Sequence, residues 1–251
     1  MPLITTNVEP VAKIKVIGIG GAGCNAINTM MTDYDIPGVE FMAFNTDAQT
    51  LKLSKAPITL QLGENLTKGL GVGGNQELGA QAAEESLDQI QELIEGADMV
   101  FITAGMGGGT GTGAAPIIAG VAKNMGALTV AVVTKPFDFE GKRRMEVAEE
   151  GLNNLRDKVD TLIVVPNQRL LEIADENISF IDAMKMVDSV LAEGVNSISM
   201  LISQTGYINE DFNDAKSVMQ NAGTALMGIG RASGEKRAEL AARAATTSPL
   251  L

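Results

Sequence analysis

An α/β fold is what this 251-residue sequence predicts: three layers, Rossmann-like, with a mostly parallel sheet and helices on both faces. Three observations carry that prediction. Short β-branched runs alternate with longer amphipathic segments through the first two thirds of the chain, the signature of βαβ units. Hydrophobic residues make up 45% and aromatic residues 4%, with no Trp, so any core consists mainly of Ile, Val, Leu, Ala and Met, as buried parallel strands favour. Two glycine-rich clusters each stand between a strand and a helix, the place where such a fold binds ligands.

The expected strands are Lys13–Ile19, Glu40–Asn45, Met99–Thr103, Leu128–Thr134 and Thr161–Val165, with Ile58–Leu62 as a short addition. Asn75–Glu95 reads as one helix, because Leu78, Ala82, Leu87, Ile90 and Ile94 recur at spacings of three and four. Lys142–Asp157 is a second helix with charges of both signs on its surface. Ser179–Gln204 is the longest. Its apolar stripe runs from Ile181 through Met184, Val187 and Val195 to Leu201, and at 1.5 Å per residue it spans roughly 36 Å. Ser179 and Asp182 fit a capping-box-like start, with Asp in place of Glu.

Beyond Thr205-Gly206 the pattern changes. Asp214–Asn221 reads as a short helix, Thr224–Gly230 as a strand and Glu235–Ala245 as an Ala-rich helix. A lone strand and helix cannot bury their faces without partners. The expected organisation is therefore a first α/β domain over 1–178, a core helix over 179–204, and the start of an incomplete second α+β domain over 205–251.

Composition excludes several chemistries. The chain has 19 Lys+Arg against 31 Asp+Glu, a net charge of −12, so a broad nucleic-acid or anionic membrane face is not expected. With no His, imidazole bases, Ser-His-Asp systems and histidine-bound zinc are ruled out. One cysteine, Cys24, closes neither an internal disulfide nor a thiolate metal cage. Carboxylates, Lys and Arg, hydroxyls, backbone amides and hard cations remain. Met1–Pro10 has no basic and apolar leader pattern, and no apolar run is long enough to span a bilayer. A soluble cytoplasmic protein without direct membrane insertion is expected.

The glycines, 28 in all, are concentrated. The first cluster, Gly18-Ile19-Gly20-Gly21-Ala22-Gly23-Cys24-Asn25, follows a strand and opens a helix, so its backbone can approach a diphosphate. Dinucleotide enzymes use a similar device, and Asp47 stands where one would place its ribose-binding acid. The second cluster, from Gly105 to Gly113, holds six glycines in nine residues. Ordering so many is entropically expensive, and successive free N–H groups with Thr hydroxyls would form an anion nest. Two such loops at adjacent strand ends imply a nucleoside di- or triphosphate. No Gly-x-x-x-x-Gly-Lys-Ser/Thr sequence occurs, so the site is not a P-loop. Gly69–Gly74 reads either as a loop closing over a terminal phosphate or as a flexible connector.

Gly107–Gly113 reads GGGTGTG and resembles the signature of the tubulin/FtsZ family. Asn45-Thr46-Asp47, Val133–Phe137, Phe139-Glu140-Gly141 and Asn209–Asp214 are similar to its bacterial FtsZ members. The likeness runs from about Ile14 to Leu251, ending inside the family's C-terminal domain. It implies a GTP/GDP-binding, Mg²⁺-dependent GTPase of the cell-division cytoskeleton. Nucleotide contacts implied are Gly20, Gly21, Ala22, Gly23, Cys24, Asn25 and Gly71, with the phosphates on Gly107, Gly108, Gly109, Thr110 and Gly111. Glu140 and Arg144 resemble ribose and phosphate contacts, and Asn167 a sugar contact. Asp188 matches the residue that reads the guanine edge, where a carboxylate can accept from N1–H and N2–H. Met184 stands where the family commonly has Phe against the base.

Phosphoryl hydrolysis needs charge stabilisation, metal and an oriented water. Asp211 and Asp214 follow the long helix, so they are expected at the far end of their own subunit. The resemblance implies head-to-tail filaments, in which Asp211, Asp214 and Asn209 complete the neighbour's site and polymerisation drives hydrolysis. The partner is thus a second copy, and adaptors of such proteins engage a C-terminal tail that this sequence lacks. Two other readings stand beside this one. In one, a shortened chain binds guanine nucleotide without polymerising or turning over; in the other, a dinucleotide oxidoreductase explains the first cluster and Asp47 but has no use for the second. The Asp pair also reads as a plain helix cap.

Overall fold

The structure, a computed structural model, describes residues 12–174, 178–203 and 211–248. Strands β1 (Ile14–Ile19), β2 (Val39–Asn45), β3 (Ile58–Gln61), β4 (Met99–Gly105), β5 (Leu128–Lys135), β6 (Thr161–Pro166) and β7 (Gly223–Ala225) form one sheet. Their order is β3-β2-β1-β4-β5-β6-β7, and every pairing is parallel. The expected fold class is correct, with the sheet parallel throughout. Between β1 and β4 the direction of winding reverses, which opens a crevice at the carboxyl ends of those two strands.

Helices cover both faces because the strands alternate. Ile17 and Ile19 of β1 face one layer and Val16 the other, all fully buried. On the first face lie α4 (Gln76–Glu85), α5 (Leu87–Ile94), α6 (Thr110–Asn124) and α7 (Lys142–Arg156). On the second lie α1 (Gly20–Asp33) and α9 (Phe180–Ser203), with Phe212 and Met219 of α10 (Phe212–Met219) at the margin. Short helices α2 (Ala48–Lys52), α3 (Glu64–Thr67) and α8 (Asn167–Ile173) and the outlying α11 (Arg237–Thr246) complete the chain.

Three local expectations change. The helix expected over Asn75–Glu95 is two helices, broken at Ser86. Ser86 is buried and its Oγ accepts from Gly63 N at 3.0 Å, while Glu85 accepts from Asn65 N at 2.9 Å and Leu66 N at 3.1 Å. The junction thus serves as a cap for α3, and hydrogen bonds to another element outweigh continued helix periodicity. The start of α9 departs from a true capping box: Ser179 Oγ accepts from Asp182 N at 3.1 Å and donates to the Asp182 carboxylate at 2.6 Å. The strand expected over Thr224–Gly230 stops at Ala225. Its three residues pair with Thr161–Ile163 of β6, so they extend the sheet by one edge, and no described strand pairs outside them to prolong it.

Around this edge the apolar surface is open. Val218 is 76% exposed and Leu226 68%, and α11 has no buried residue.

Candidate functional site

Two helices begin at the crevice, and both begin without a cap. Among the described residues no side chain caps α1 or α6, and neither has an acidic residue in its first turn. Three helices away from the crevice do carry a side-chain cap: Asp47 accepts from Gln49 N and Thr50 N at the start of α2, Asn75 from Glu77 N and Leu78 N at α4, and Asp211 from Asp214 N at α10. Uncapped N-termini leave orphan N–H groups and the positive end of the helix dipole facing the crevice, which suits an anion.

Glycine makes these approaches possible. A Cβ on Gly18 would meet Gly23 O at 2.3 Å, and one on Gly23 would meet Thr103 O at 2.4 Å, so α1 sits directly on the strands. Gly20 has φ +71°, and a Cβ there would lie 2.9 Å from Gly111 N, which ties the two loops together. In the second loop the reading of an anion nest explains only part of the glycine content. Side chains at 107, 109, 111 and 113 would strike Arg144 O, Val72 Cγ2, Gly105 O and Gln76 O at 2.7, 2.5, 2.7 and 2.0 Å. Packing against α4 and the loop before it, against α7 and against the end of β4 therefore accounts for those four. Gly21 and Gly108 alone among the predicted phosphate contacts have open space at the Cβ position.

The crevice is a cleft of about 470 Å³, and it gathers most of the residues singled out from sequence. Gly20, Gly21, Ala22 and Asn25 come from α1, Gly108, Gly109, Thr110 and Gly111 from the second loop and α6, and Glu140, Arg144, Asn167, Met184 and Asp188 from the far wall. Four predicted residues lie elsewhere. Gly23 is packed under β4 as described, and Cys24 is buried, its Sγ 3.9 Å from both Gly18 O and Phe44 O. Burial pushes the Cys24 thiol up to about 12, so it stays protonated. Gly107 and the loop residues Gly73 and Gly74 line an adjoining space of about 940 Å³ that shares Gly108, Glu140 and Arg144 with the cleft. Gly71 stands back from both, its N donating to Thr46 O at 3.3 Å. Thr112 is buried and its hydroxyl accepts from Gly107 N at 2.9 Å, so of the two Thr residues in the loop only Thr110 faces the cleft.

The polar groups on the far wall are poised unequally. Arg144 pairs with Glu140, whose other oxygen accepts from Phe137 N at 2.9 Å. The Oδ1 of Asn167 is buried and has no partner among the described residues, an orphan acceptor of the kind that a ligand hydroxyl would satisfy. Asp188 is half-buried, and desolvation raises its carboxyl from 3.8 to about 7. Such a group gains most from a ligand that donates two N–H groups.

Phe180 was not foreseen. It lines the cleft one helical turn before Met184, is 63% exposed, and packs edge-on to Phe139 with centroids 5.9 Å apart. The spacing Phe180–Met184–Asp188 places all three on one stripe of α9, and that periodicity was legible in the sequence.

At the other end of α9, Asp211 and Asp214 form a reciprocal capping box on α10: Asp211 Oδ1 accepts from Asp214 N at 2.9 Å and Asp214 Oδ2 from Asp211 N at 3.3 Å. The plain cap reading is thereby realised, and each residue keeps its second carboxylate oxygen outside the box. Neither carboxylate lines the cleft of its own chain, and the end of α10 packs at the amino end of β6, where Thr161 Oγ1 donates to Met219 O at 2.6 Å, opposite the carboxyl ends that form the cleft. Asn209 lies outside the described residues.

An α/β domain with two uncapped helix N-termini at the switch point of a parallel sheet, in a cleft whose far wall carries Asn167 and Asp188, belongs to the class of nucleotide-binding proteins. Comparison gives the particular family. Residues 13–175 match the tubulin/FtsZ family, GTPase domain, and this chain belongs to that family of GTPases. It is similar to an empty FtsZ dimer from M. jannaschii at 50% identity, over 96% of this chain and 69% of that one, with a TM-score of 0.92. A mutant of M. jannaschii FtsZ matches at 50% identity, 96% and 72% coverage and a TM-score of 0.91. CetZ2 from Haloferax volcanii, a GTPγS-bound protofilament, shares the fold at 23% identity, 90% and 69% coverage and a TM-score of 0.78. Among the described residues no helix is long and apolar enough to cross a membrane.

Proposed function

We propose that this chain is an FtsZ-type protein that binds GTP in the cleft and hydrolyses it when copies assemble head to tail. The single observation that carries this reading is the pairing, in one cleft, of two uncapped helix N-termini with the desolvated carboxylate of Asp188. The first would hold phosphates, the second a base with two adjacent N–H donors. Guanine has them; adenine does not. Open backbone at Gly21 and Gly108 would let the phosphates approach, Thr110 would add a hydroxyl donor, and Arg144 would exchange Glu140 for phosphate charge. Asn167 would meet a ribose hydroxyl. Gly107 and the Gly69–Gly74 loop are proposed to line the terminal-phosphate side.

Mg²⁺ fits as a companion of the nucleotide, since it is commonly bound through phosphate oxygens and waters, and it would supply charge neutralisation there. Asp211 and Asp214, with Asn209, are proposed to orient water on the neighbouring copy's nucleotide, through a heterologous contact that does not close and so grows filaments. Supporting this are their distance from their own cleft and the 50%-identical M. jannaschii protein, described as an FtsZ dimer. That neighbour is archaeal, whereas the motifs resemble bacterial members, so the reading is FtsZ-type without a choice of branch. A role in septation at a mid-cell ring, in the cytoplasm, belongs to the same proposal. Residues 205–251 are proposed to open a second domain, which would cover the exposed Val218, Leu226 and Leu240.

The test is Asp211→Ala, with nucleotide affinity, light scattering and phosphate release measured with GTP and Mg²⁺. Binding should be retained while assembly-stimulated release is lost; undiminished turnover would refute completion of the site by a neighbour.

A further inference from the structure

Thr46, at the end of β2, makes no contact with the cleft, and its side chain is fully buried. Its Oγ1 lies 2.7 Å from Thr110 Oγ1, across the gap between β2 and the first residue of α6. Among the described residues that hydroxyl has no other recorded partner. The Thr46 carbonyl is occupied separately, accepting from Thr67 Oγ1 and Gly71 N, each at 3.3 Å.

A hydroxyl–hydroxyl contact has two polarities, and burial selects one. Were Thr110 the donor, the Thr46 proton would be left unpaired in a dry site, at a cost of about 1–3 kcal/mol, and Thr110 would turn lone pairs toward an incoming anion. With Thr46 as donor, its proton is satisfied and Thr110, half-buried on the cleft wall, keeps its own proton for the cleft. Only this second arrangement makes Thr110 a donor to phosphate.

We infer that Thr46 is a positioning residue: its buried hydroxyl donates to Thr110 and thereby fixes Thr110 as a proton donor toward the nucleotide phosphates. The inference rests on the proposed GTP-binding role of the cleft. It gives a function to the hydroxyl of the Asn45-Thr46-Asp47 segment, which the site residues read from sequence did not include. It also places Thr46 where the phosphate nest meets the Gly69–Gly71 loop, because the same residue's carbonyl anchors that loop.

The experiment is a double-mutant cycle on the whole chain, read as GTP and GDP affinity by titration. Thr46→Val keeps the shape and removes the donor, and should weaken both nucleotides about tenfold. Thr46→Ser restores the donor and should bind within about twofold of the parent. In a Thr110→Val background, Thr46→Val should have almost no further effect, since there is no hydroxyl left to orient. An effect of Thr46 that does not run through the Thr110 hydroxyl would instead give losses that add. Should Thr46→Val fail to fold, Thr46→Cys, with its weak S–H donor, takes its place and should fall between Ser and Thr110→Val. Additive losses, or a Thr46→Val chain that binds as tightly as the parent, would overturn the positioning role while leaving the GTP reading intact. A parent chain that binds no guanine nucleotide would overturn both.

Discussion

Asp188→Asn separates stability from recognition, because the same carboxylate should harm one and serve the other. In the empty cleft desolvation holds the Asp188 carboxyl at about 7, above its ordinary 3.8. The neutral acid is therefore the form the fold prefers. Its contribution is fully present below about pH 4, declines as pH rises, and is gone above about pH 7. The shift of roughly 3 units corresponds to up to about 4 kcal/mol, and to about half of that once the group's partial exposure is allowed for. Asparagine carries no charge to desolvate. The empty variant should match the parent near pH 4 and exceed it by about 2 kcal/mol at pH 8, or roughly 4–8 °C in melting temperature for a chain of this size.

Nucleotide binding should move the other way. A carboxylate accepts from both guanine N–H groups, and each such charged hydrogen bond is worth about 1.5–3 kcal/mol. The amide of Asn offers one acceptor and sets a donor against the other N–H. GTP affinity should therefore fall at least about 100-fold, and the parent's affinity should itself weaken about tenfold per pH unit below pH 7, a dependence the variant should lose. Melting curves of the empty chain from pH 4 to 8 and titrations with GTP across the same range read both effects. A variant less stable than its parent at pH 8, or a parent whose GTP affinity is flat between pH 6 and 8, would refute the reasoning.

The glycine loop divides into packing and binding positions. Gly113→Ala should destabilise by about 3 kcal/mol in urea unfolding, because a Cβ there would stand 2.0 Å from Gln76 O, where α4 and α6 touch backbone to backbone. Gly108→Ala has open space and should leave stability within about 0.5 kcal/mol while lowering GTP affinity. Asp160→Ala should cost about 2–4 kcal/mol, since that buried carboxylate accepts from Thr129 N at 2.9 Å and Asn221 N at 3.4 Å and pairs with Lys123 at 3.5 Å. Cys24, buried with its thiol held protonated, should react with a thiol reagent only at the rate of global unfolding.

Much of the sheet could be read directly. The first six strands match expectation within two residues at each end, because continuous apolar β-branched runs suit strands buried on both faces. What was misjudged followed from long-range partners. Nothing local marks Ser86 as a break; the reason is Gly63, 23 residues away in the chain. The extra length expected of β7 had good β propensity and failed for want of a neighbour, as edge strands do. Short α2, α3 and α8 have too few turns to show a period.

For the site, the chain's own pattern determined the kind of chemistry: without His, and with glycine clusters following two strands, backbone amides, hydroxyls and Lys or Arg were left to bind a polyanion. The tertiary structure decided which members of those clusters face the ligand. Glycine is required both where a backbone must meet a ligand and where it must meet another backbone, and composition cannot tell these apart; only the placement of α4 with the loop before it, of α7 and of the end of β4 assigns Gly107, Gly109, Gly111 and Gly113 to packing and leaves Gly21 and Gly108 open. Desolvation is likewise a property of surroundings. An Asp on a long helix looks ordinary until the cleft closes around it, and its raised pKa exists only once the chain has folded.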